Sequence, residues 1–471
     1  MNLAPITRFV AYAHFSLALA MIVPAIMAAW AQNESQVSGF VLGGIVASLI
    51  GALSLALGQG MKGQLSVRGG LRELMLALLI FWSLVPLSGA IPFRFVGETV
   101  GAAWFDAVSA LTTRGGWLSD PAARATKADM LYRASLQWMG GLVSLSTAAA
   151  VFVRPEFMGS APLVPPFSRG EGGTYLRAFD RAVWAFLPIY ALIAALGSVA
   201  LIASGVPMAE GVTMALSFLA SGGFIPVAGG MEAFGLSSRF ISCLLMTLGA
   251  INFVVIASYI LKQSGRMRSG RDQETVAFLM LIPLVTIIFW MSRGAGDMDL
   301  LFSQMFNAIS LLSTNGQTLG EAPSLTPVLV TAIIGGAAVS TAGGIKLLRW
   351  LVTFQRTSEE LWKLINPGAV FGKPPSTNEL GIWIHSLAFA ILLASFVLIT
   401  AFYGYPLEVS AAAAVAVISN TGPLLDLAPQ MTGDFLVFDD TLRFIFGMGM
   451  IAGRLELVIM LVIINRRFWQ G

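Results

Sequence analysis

Apolar runs of about 20 residues recur along the whole chain, set apart by short polar stretches. Since the hydrocarbon core of a bilayer takes roughly 20 residues of helix, the pattern predicts an all-α, polytopic membrane protein. Ten transmembrane helices are expected, at 9–30, 38–58, 71–93, 130–153, 183–206, 239–261, 275–292, 326–350, 379–403 and 441–464. An even number leaves both termini on one face of the membrane. The first run has no small-residue cleavage site behind it and is followed at once by a second, which predicts a retained helix and not a signal peptide.

A second pattern is repeated inside the first. Four apolar segments too short to cross a bilayer, 102–117, 210–224, 302–317 and 408–423, lie between consecutive spans, and each ends in small polar residues and glycine. The turns carry Thr112, Thr113, Arg114 and Gly115; Ala220, Ser221 and Gly222; Thr314, Asn315 and Gly316; and Asn420, Thr421 and Gly422. Half a bilayer of helix followed by a turn is the pattern of a re-entrant segment. Irregular backbone at membrane depth is tolerated where it is buried in protein or lines a watery path. Carbonyl oxygens of glycine-containing turns can replace the hydration shell of a monovalent cation. Four such turns at matched positions therefore predict a quasi-four-fold pore with a cation selectivity filter; ordinary extracellular loops are the alternative.

Charge adds orientation. Hydrophobic residues make up 56% of the chain and charged ones 11%, against about 25% charged in soluble domains. Lys62, Arg68 and Arg72; Arg154, Arg169, Arg177 and Arg181; Lys262, Arg266, Arg268 and Arg271; Arg349, Arg356, Lys363 and Lys373; and Arg466 with Arg467 all fall on one side of the ten-helix arrangement. Cytoplasmic loops collect such cations, so that side is the cytoplasm and both termini lie there. The opposite loops hold acids, among them Glu98, Asp120, Glu232, Asp297, Glu321, Asp426, Asp434, Asp439 and Asp440, which can focus cations at an outer mouth or simply be solvated. The net charge of +3 is thus positive-inside bias, and no basic stripe suited to nucleic acid is present. One cysteine, Cys243, and two histidines, His14 and His385, build neither an internal disulfide nor a metal cluster. Each histidine reads as a hydrogen-bonded core residue rather than a proton relay.

Two further stretches break the apolar pattern. The run 335–344, Gly335, Gly336, Ala337, Ala338, Val339, Ser340, Thr341, Ala342, Gly343 and Gly344, cannot hold a rigid helix when each interior glycine costs about 1 kcal/mol against alanine. It reads as a flexible loop beneath a filter, with close helix packing as the alternative. Arg454 lies within the last apolar helix, where an arginine costs at least about 2.5 kcal/mol and should face a cavity or a partner. Lys346 either holds the loop or snorkels to the cytoplasm.

With these segments in view, the chain resembles the Trk/Ktr/HKT superfamily of potassium transporters, in its bacterial TrkH/KtrB branch. The resemblance covers about residues 71–468 and rests on 335–346 (GGAAVSTAGGIK), 453–456 (GRLE), 137–141 (QWMGG), 249–253 (GAINF) and the fourth turn. It implies an additional helix pair at 1–60 and pore units at 61–153, 154–262, 263–356 and 357–471. It implies potassium bound at the filter residues as the transported ion. It also implies an intramembrane gating loop at 335–344, a barrier formed with Arg454, a homodimer, and a cytosolic nucleotide-binding regulatory ring of the TrkA/KtrA type. Glu456, on another face, reads as a structural partner. The bacterial inner membrane is the implied location.

One turn departs from the family pattern, which reads Thr-Thr-Thr-Gly: here Arg114 replaces a small polar residue. In sequence Asn315, Ser221 and Thr421 take the corresponding places. A charge about 6 Å from a bound cation at an effective dielectric of 20 costs about 2.8 kcal/mol, so Arg114 either lies behind the turn, paired with a carboxylate such as Asp106, Glu210 or Glu408, or closes the filter. Potassium uptake, with sodium also admitted, is the expected function. A non-conducting regulatory subunit is the alternative, and an intramembrane enzyme finds no polar catalytic set. No phosphate-binding loop is present, so nucleotide control falls to a separate subunit.

Overall fold

The computed structural model describes residues 3–60, 70–116, 118, 126–152, 175–227, 229–260, 272–366, 379–428 and 434–455. These are almost entirely helical. A hairpin of α1 (Leu3–Trp30) and α2 (Glu34–Gly60) comes first, followed by α3 (Gly70–Gly89), the short α4 (Ile91–Arg94), α5 (Val100–Leu111) and α6 (Lys127–Phe152). Next come α7 (Tyr175–Ala203), α8 (Met208–Leu219), α9 (Leu236–Ala250) and α10 (Phe253–Ile260), then α11 (Gln273–Ser292), α12 (Met298–Leu312), α13 (Leu325–Ile334) and α14 (Leu347–Ile365). The chain closes with α15 (Glu379–Phe402), α16 (Leu407–Ile418) and α17 (Asp440–Arg454). Among the described residues α1, α2, α3 with α4, α7, α11 and α15 are each long and apolar enough to cross a bilayer.

The four short helices α5, α8, α12 and α16 occupy the predicted re-entrant segments, and their packing closes a ring. Each touches the long helices on either side of it in sequence and also the last helix of the preceding group: α8 meets α6, α12 meets α9, α16 meets α13, and α5 meets α17. The contact between α5 and α17 joins the first group to the fourth, which makes the arrangement cyclic. The α1–α2 hairpin lies outside this ring, with α1 against α3 and α6. Leu42, Ile45, Leu49 and Leu53 of α2 are exposed, as lipid-facing side chains are. By contrast α16 runs through the centre, with Val409, Ser410 and all of Ala412–Ile418 buried; its alanines let neighbouring backbones approach closely.

Two of the expected spans are broken. The 239–261 helix bends by 98° between α9 and α10, because Ile251 is extended and the Asn252 side chain accepts the Val254 N–H at 3.1 Å, capping a new helix as asparagine does. The 326–350 helix opens at 335–346, as the glycine run leads one to expect. The last span, expected over 441–464, is described as far as Leu455; Glu456 and the basic residues beyond it lie outside the described residues. So do Lys62, Arg68, Asp120, Arg154, Arg169, the 262–271 cations and Lys373.

Candidate ion pathway and gate

Each short helix ends in the same hydrogen-bonded motif. A residue in the left-handed region follows the cap: Thr113 at φ 59°, Ser221 at 61°, Thr314 at 59° and Asn420 at 48°. The next backbone N–H then reaches five residues back, Arg114 to Ser109 at 2.9 Å, Gly222 to Ser217 at 2.8 Å, Asn315 to Ser310 at 2.8 Å and Thr421 to Ala416 at 3.1 Å. This is a Schellman closure built on residues that disfavour it: the left-handed conformation costs a non-glycine residue about 1–2 kcal/mol, and such strain gathers where function fixes the backbone.

That geometry shifts the second turn by one residue from its sequence reading. Gly222, not Ser221, takes the place of Arg114, Asn315 and Thr421, and Gly223 at φ 61° takes the place of Gly115 at 75° and Gly316 at 76°. Two adjacent glycines made the register ambiguous in sequence; the end of α8 at Leu219 decides it.

The four turns converge. A Cβ on Gly115 would overlap the Gly222 carbonyl oxygen, one on Gly223 the Asn315 carbonyl oxygen, and one on Gly316 the backbone of Gly422. Asn315 Oδ1 accepts from Gly223 N at 2.9 Å, and Gly422 N donates to the Thr314 oxygen at 3.4 Å. Because all four helices end at the turns, the negative ends of their dipoles meet there, which favours a cation.

Residues 335–346 pack against these turns. Thr341 Oγ1 lies 2.6 Å from Ser221 Oγ and 3.0 Å from the Leu219 oxygen, while Gly343 N donates to Thr314 Oγ1 at 2.8 Å and Gly344 N to the Ser419 oxygen at 3.2 Å. The break between α9 and α10 receives the loop from the side: Ala337 N donates to the Ala250 oxygen, Thr341 N to the Gly249 oxygen, and Phe253 N to the Val339 oxygen. Gly335 and Gly344, both at φ 74°, supply the backbone reversals that residues with a Cβ resist. Ser340 Oγ donates to the Ala337 oxygen at 2.6 Å, and Gly336 accepts from Leu347 N at 2.9 Å. Lys346 holds the loop: its Nζ donates to the Ser340 and Ala342 oxygens.

Arg454, at the end of α17, joins loop and turn. Its Nε donates to the Thr112 oxygen at 2.6 Å and its Nη1 to the Thr341 oxygen at 2.8 Å. The loop is therefore bonded to the second, third and fourth turns directly and to the first through Arg454. A cavity lined by Ser144, Thr147, Lys346, His385 and Arg454, among others, borders it. The other histidine, His14, has Nδ1 2.8 Å from the Val10 oxygen within its own helix.

A search against family models matches residues 36–468 to TrkH, described as a cation transport protein. The chain belongs to this family. Relatives within it include the Trk system potassium uptake protein TrkH of Salmonella typhimurium, 26% identical with the full length of both chains covered. The TrkH of Escherichia coli K12 is 25% identical over the same full coverage. The crystal structure of the potassium transporter TrkH from Vibrio parahaemolyticus superposes with a TM-score of 0.85 at 23% identity, again covering both chains completely; that likeness shows the fold. As a member of the TrkH family the chain is a transport protein and not an enzyme, and the family resemblance read in its sequence is correct. The match reaches back to residue 36, into α2 and past the start expected at 71.

The sequence motifs of the TrkH family acquire local reasons here. In 137–141, Gln137 flanks Gly115 and Gly222, and a Cβ on Gly140 would overlap the Leu111 oxygen. In 249–253 lies the break that receives the loop. In 453–456, Gly453 lets α17 approach the Ile418 oxygen so that Arg454 can reach inward.

Arg114 does not pair with the carboxylates expected of it. Asp106 is held by Arg133 Nη1 at 2.6 Å and accepts Leu118 N at 3.0 Å, Glu210 meets Lys127 at 3.2 Å, and Glu408 is exposed. The Arg114 guanidinium instead lies 3.9 Å from the Phe435 ring centroid, in an aromatic cluster with Phe105, Phe438 and Phe446.

Sequence reasoning missed the centre behind the first turn. Arg133 binds Glu98 and Asp129, each at 2.9 Å, as well as Asp106, and all four are buried. Burial, then the Asp106 charge, pushes the Glu98 carboxyl in the loop before α5 up to about 9. Through Leu118 N the cluster fixes the chain leaving the first turn. Apolar periodicity hides it, since its members come from three separate segments.

Proposed function

We propose that the chain carries potassium into the cell, down its electrochemical gradient, through the path enclosed by the four turns. The four pore units are 61–153, 154–262, 263–356 and 357–471, with the 1–60 helix pair outside them. The reading rests above all on one observation: four helix ends with the same Schellman register meet in a ring, each aiming the negative end of its dipole at the centre. Thr112–Gly115, Ala220–Gly223, Thr314–Gly316 and Asn420–Gly422 supply the filter oxygens, with potassium bound there as cargo. The 335–346 loop and Arg454 form the gate, the arginine placing a fixed positive charge against a passing cation.

Potassium is favoured over sodium by the names of the relatives, each a potassium uptake protein. The same names speak of a Trk system, which supports a regulatory component of the TrkA type as partner; that this is a cytosolic nucleotide-binding ring, and that the chain forms a homodimer, is what the family resemblance implies. The positive-inside pattern supports a bacterial inner-membrane location with both termini in the cytoplasm. Flux into liposomes holding the purified chain, with potassium, rubidium and sodium compared, tests the reading. Potassium and rubidium entry above sodium supports it; absence of all three, with Arg454→Ala also silent, overturns it in favour of a non-conducting regulatory subunit.

A further inference from the structure

Glu274 stands in the first turn of α11 and is buried, a costly place for a carboxylate unless donors meet it. Its Oε2 accepts the backbone N–H of Ala338, in the middle of the 335–346 loop, at 2.5 Å. The positive end of the α11 dipole lies behind it, and Lys346 and Arg349 of the facing segment act on it electrostatically, as does Asp272 of its own. Those two cations hold loop carbonyls, Lys346 those of Ser340 and Ala342, and Arg349 that of Ile345. The loop is thus held by charge of both signs, its oxygens by Lys346 at its own end and by Arg349 of α14, and an N–H by Glu274 of α11.

The other loop anchors come from the turns, from the α9–α10 break and from Arg454. Glu274 comes from the end of α11 that the charge pattern puts at the cytoplasm, and α11 also packs on α12, α13 and α14. We propose that Glu274 is the latch of the gating loop, a positioning residue that ties Ala338 to the cytoplasmic end of α11, so that a displacement of that first turn releases the loop. The proposal rests on the gate reading above. A buried carboxylate cannot be left without its donor, so when the first turn moves, either Ala338 follows or the bond breaks and the loop loses a charge-assisted tether, about twice as strong as a neutral one.

Single-channel recording of the full chain in planar bilayers with potassium tests this, using Glu274→Ala, the isosteric Glu274→Gln, and Arg454→Ala in parallel. The expected result is an open probability raised about tenfold by Glu274→Ala, the effect of losing one charge-assisted bond from the closed state, and raised less by Glu274→Gln, whose amide oxygen can still accept. Unitary conductance and the potassium-to-sodium permeability ratio stay at wild-type values, which damage to the filter would not allow. Open probability unchanged or lowered in both Glu274 variants, with wild-type melting temperatures and Arg454→Ala still raising it, overturns the latch and leaves the gate intact. No rise with Arg454→Ala either overturns the gate reading, and the latch with it.

Discussion

Arg454 Nε donates to the Thr112 carbonyl oxygen at 2.6 Å, joining the end of the last described helix to the cap of the first pore helix while Nη1 holds the loop at Thr341. One guanidinium therefore sets the height of the loop against the turn. On the proposed gate, Arg454→Ala is expected to raise basal potassium flux several-fold, because it removes a fixed positive charge from the proposed path together with two charge-assisted bonds, each contributing about 1.5–3 kcal/mol. Rubidium uptake into proteoliposomes measures it; unchanged flux in a folded variant would make Arg454 purely structural.

For Arg114 the contact with Phe435 sets the sign. A guanidinium over an aromatic face contributes about 0.5–2 kcal/mol, and the side chain leaves the turn for the aromatic cluster. Arg114→Thr should lower the melting temperature of the purified protein by a few degrees without raising conductance. Better potassium-limited growth of a bacterium lacking its own uptake systems, when it expresses Arg114→Thr at wild-type levels, would show that the charge acts on the ions.

Behind the first turn, Arg133→Leu strands Asp106 and Asp129 in a buried site and removes the donor to Glu98, and breaking a buried ionic set in this way costs about 3–5 kcal/mol. Loss of folded protein in size-exclusion chromatography is the expected outcome. The Glu98 carboxyl, raised to about 9 by burial, holds its proton in the folded state where the unfolded chain has released it. The stability this group contributes is thus fully present below its unfolded value of about 4.3 and is lost as pH rises through about 9. Melting temperatures of Glu98→Gln should fall less steeply over that window than those of wild type.

Gly343 tests how closely the loop must seat. A Cβ there would overlap the Ser419 carbonyl oxygen, whereas one on Gly381 meets nothing within 4 Å. Gly343→Ala should displace the loop, raising basal flux and lowering the melting temperature, while Gly381→Ala leaves both unchanged. Equal behaviour of the two variants would mean that the loop yields without consequence.

The sequence alone determined the solvent, the class and the repeat. Apolar runs of bilayer length force helices because lipid offers no partner for a backbone N–H or carbonyl, and four half-length runs ending in small residues and glycine could be recognised for the same reason. The glycine run and the isolated Arg454 were likewise legible, since each violates the local rule for a membrane helix. Tertiary structure decided the rest. The register of the second turn depends on where α8 ends, which adjacent glycines leave open. The bend at Asn252 became a break because Val339 lies there to take the Phe253 N–H. The partner of Asp106 proved to be Arg133 and not Arg114, because the packing of α5 against α6 brings their charges together in the interior. Contacts such as Glu274 to Ala338, 64 residues apart, are fixed by packing between helices, and periodicity along one helix carries no information about them.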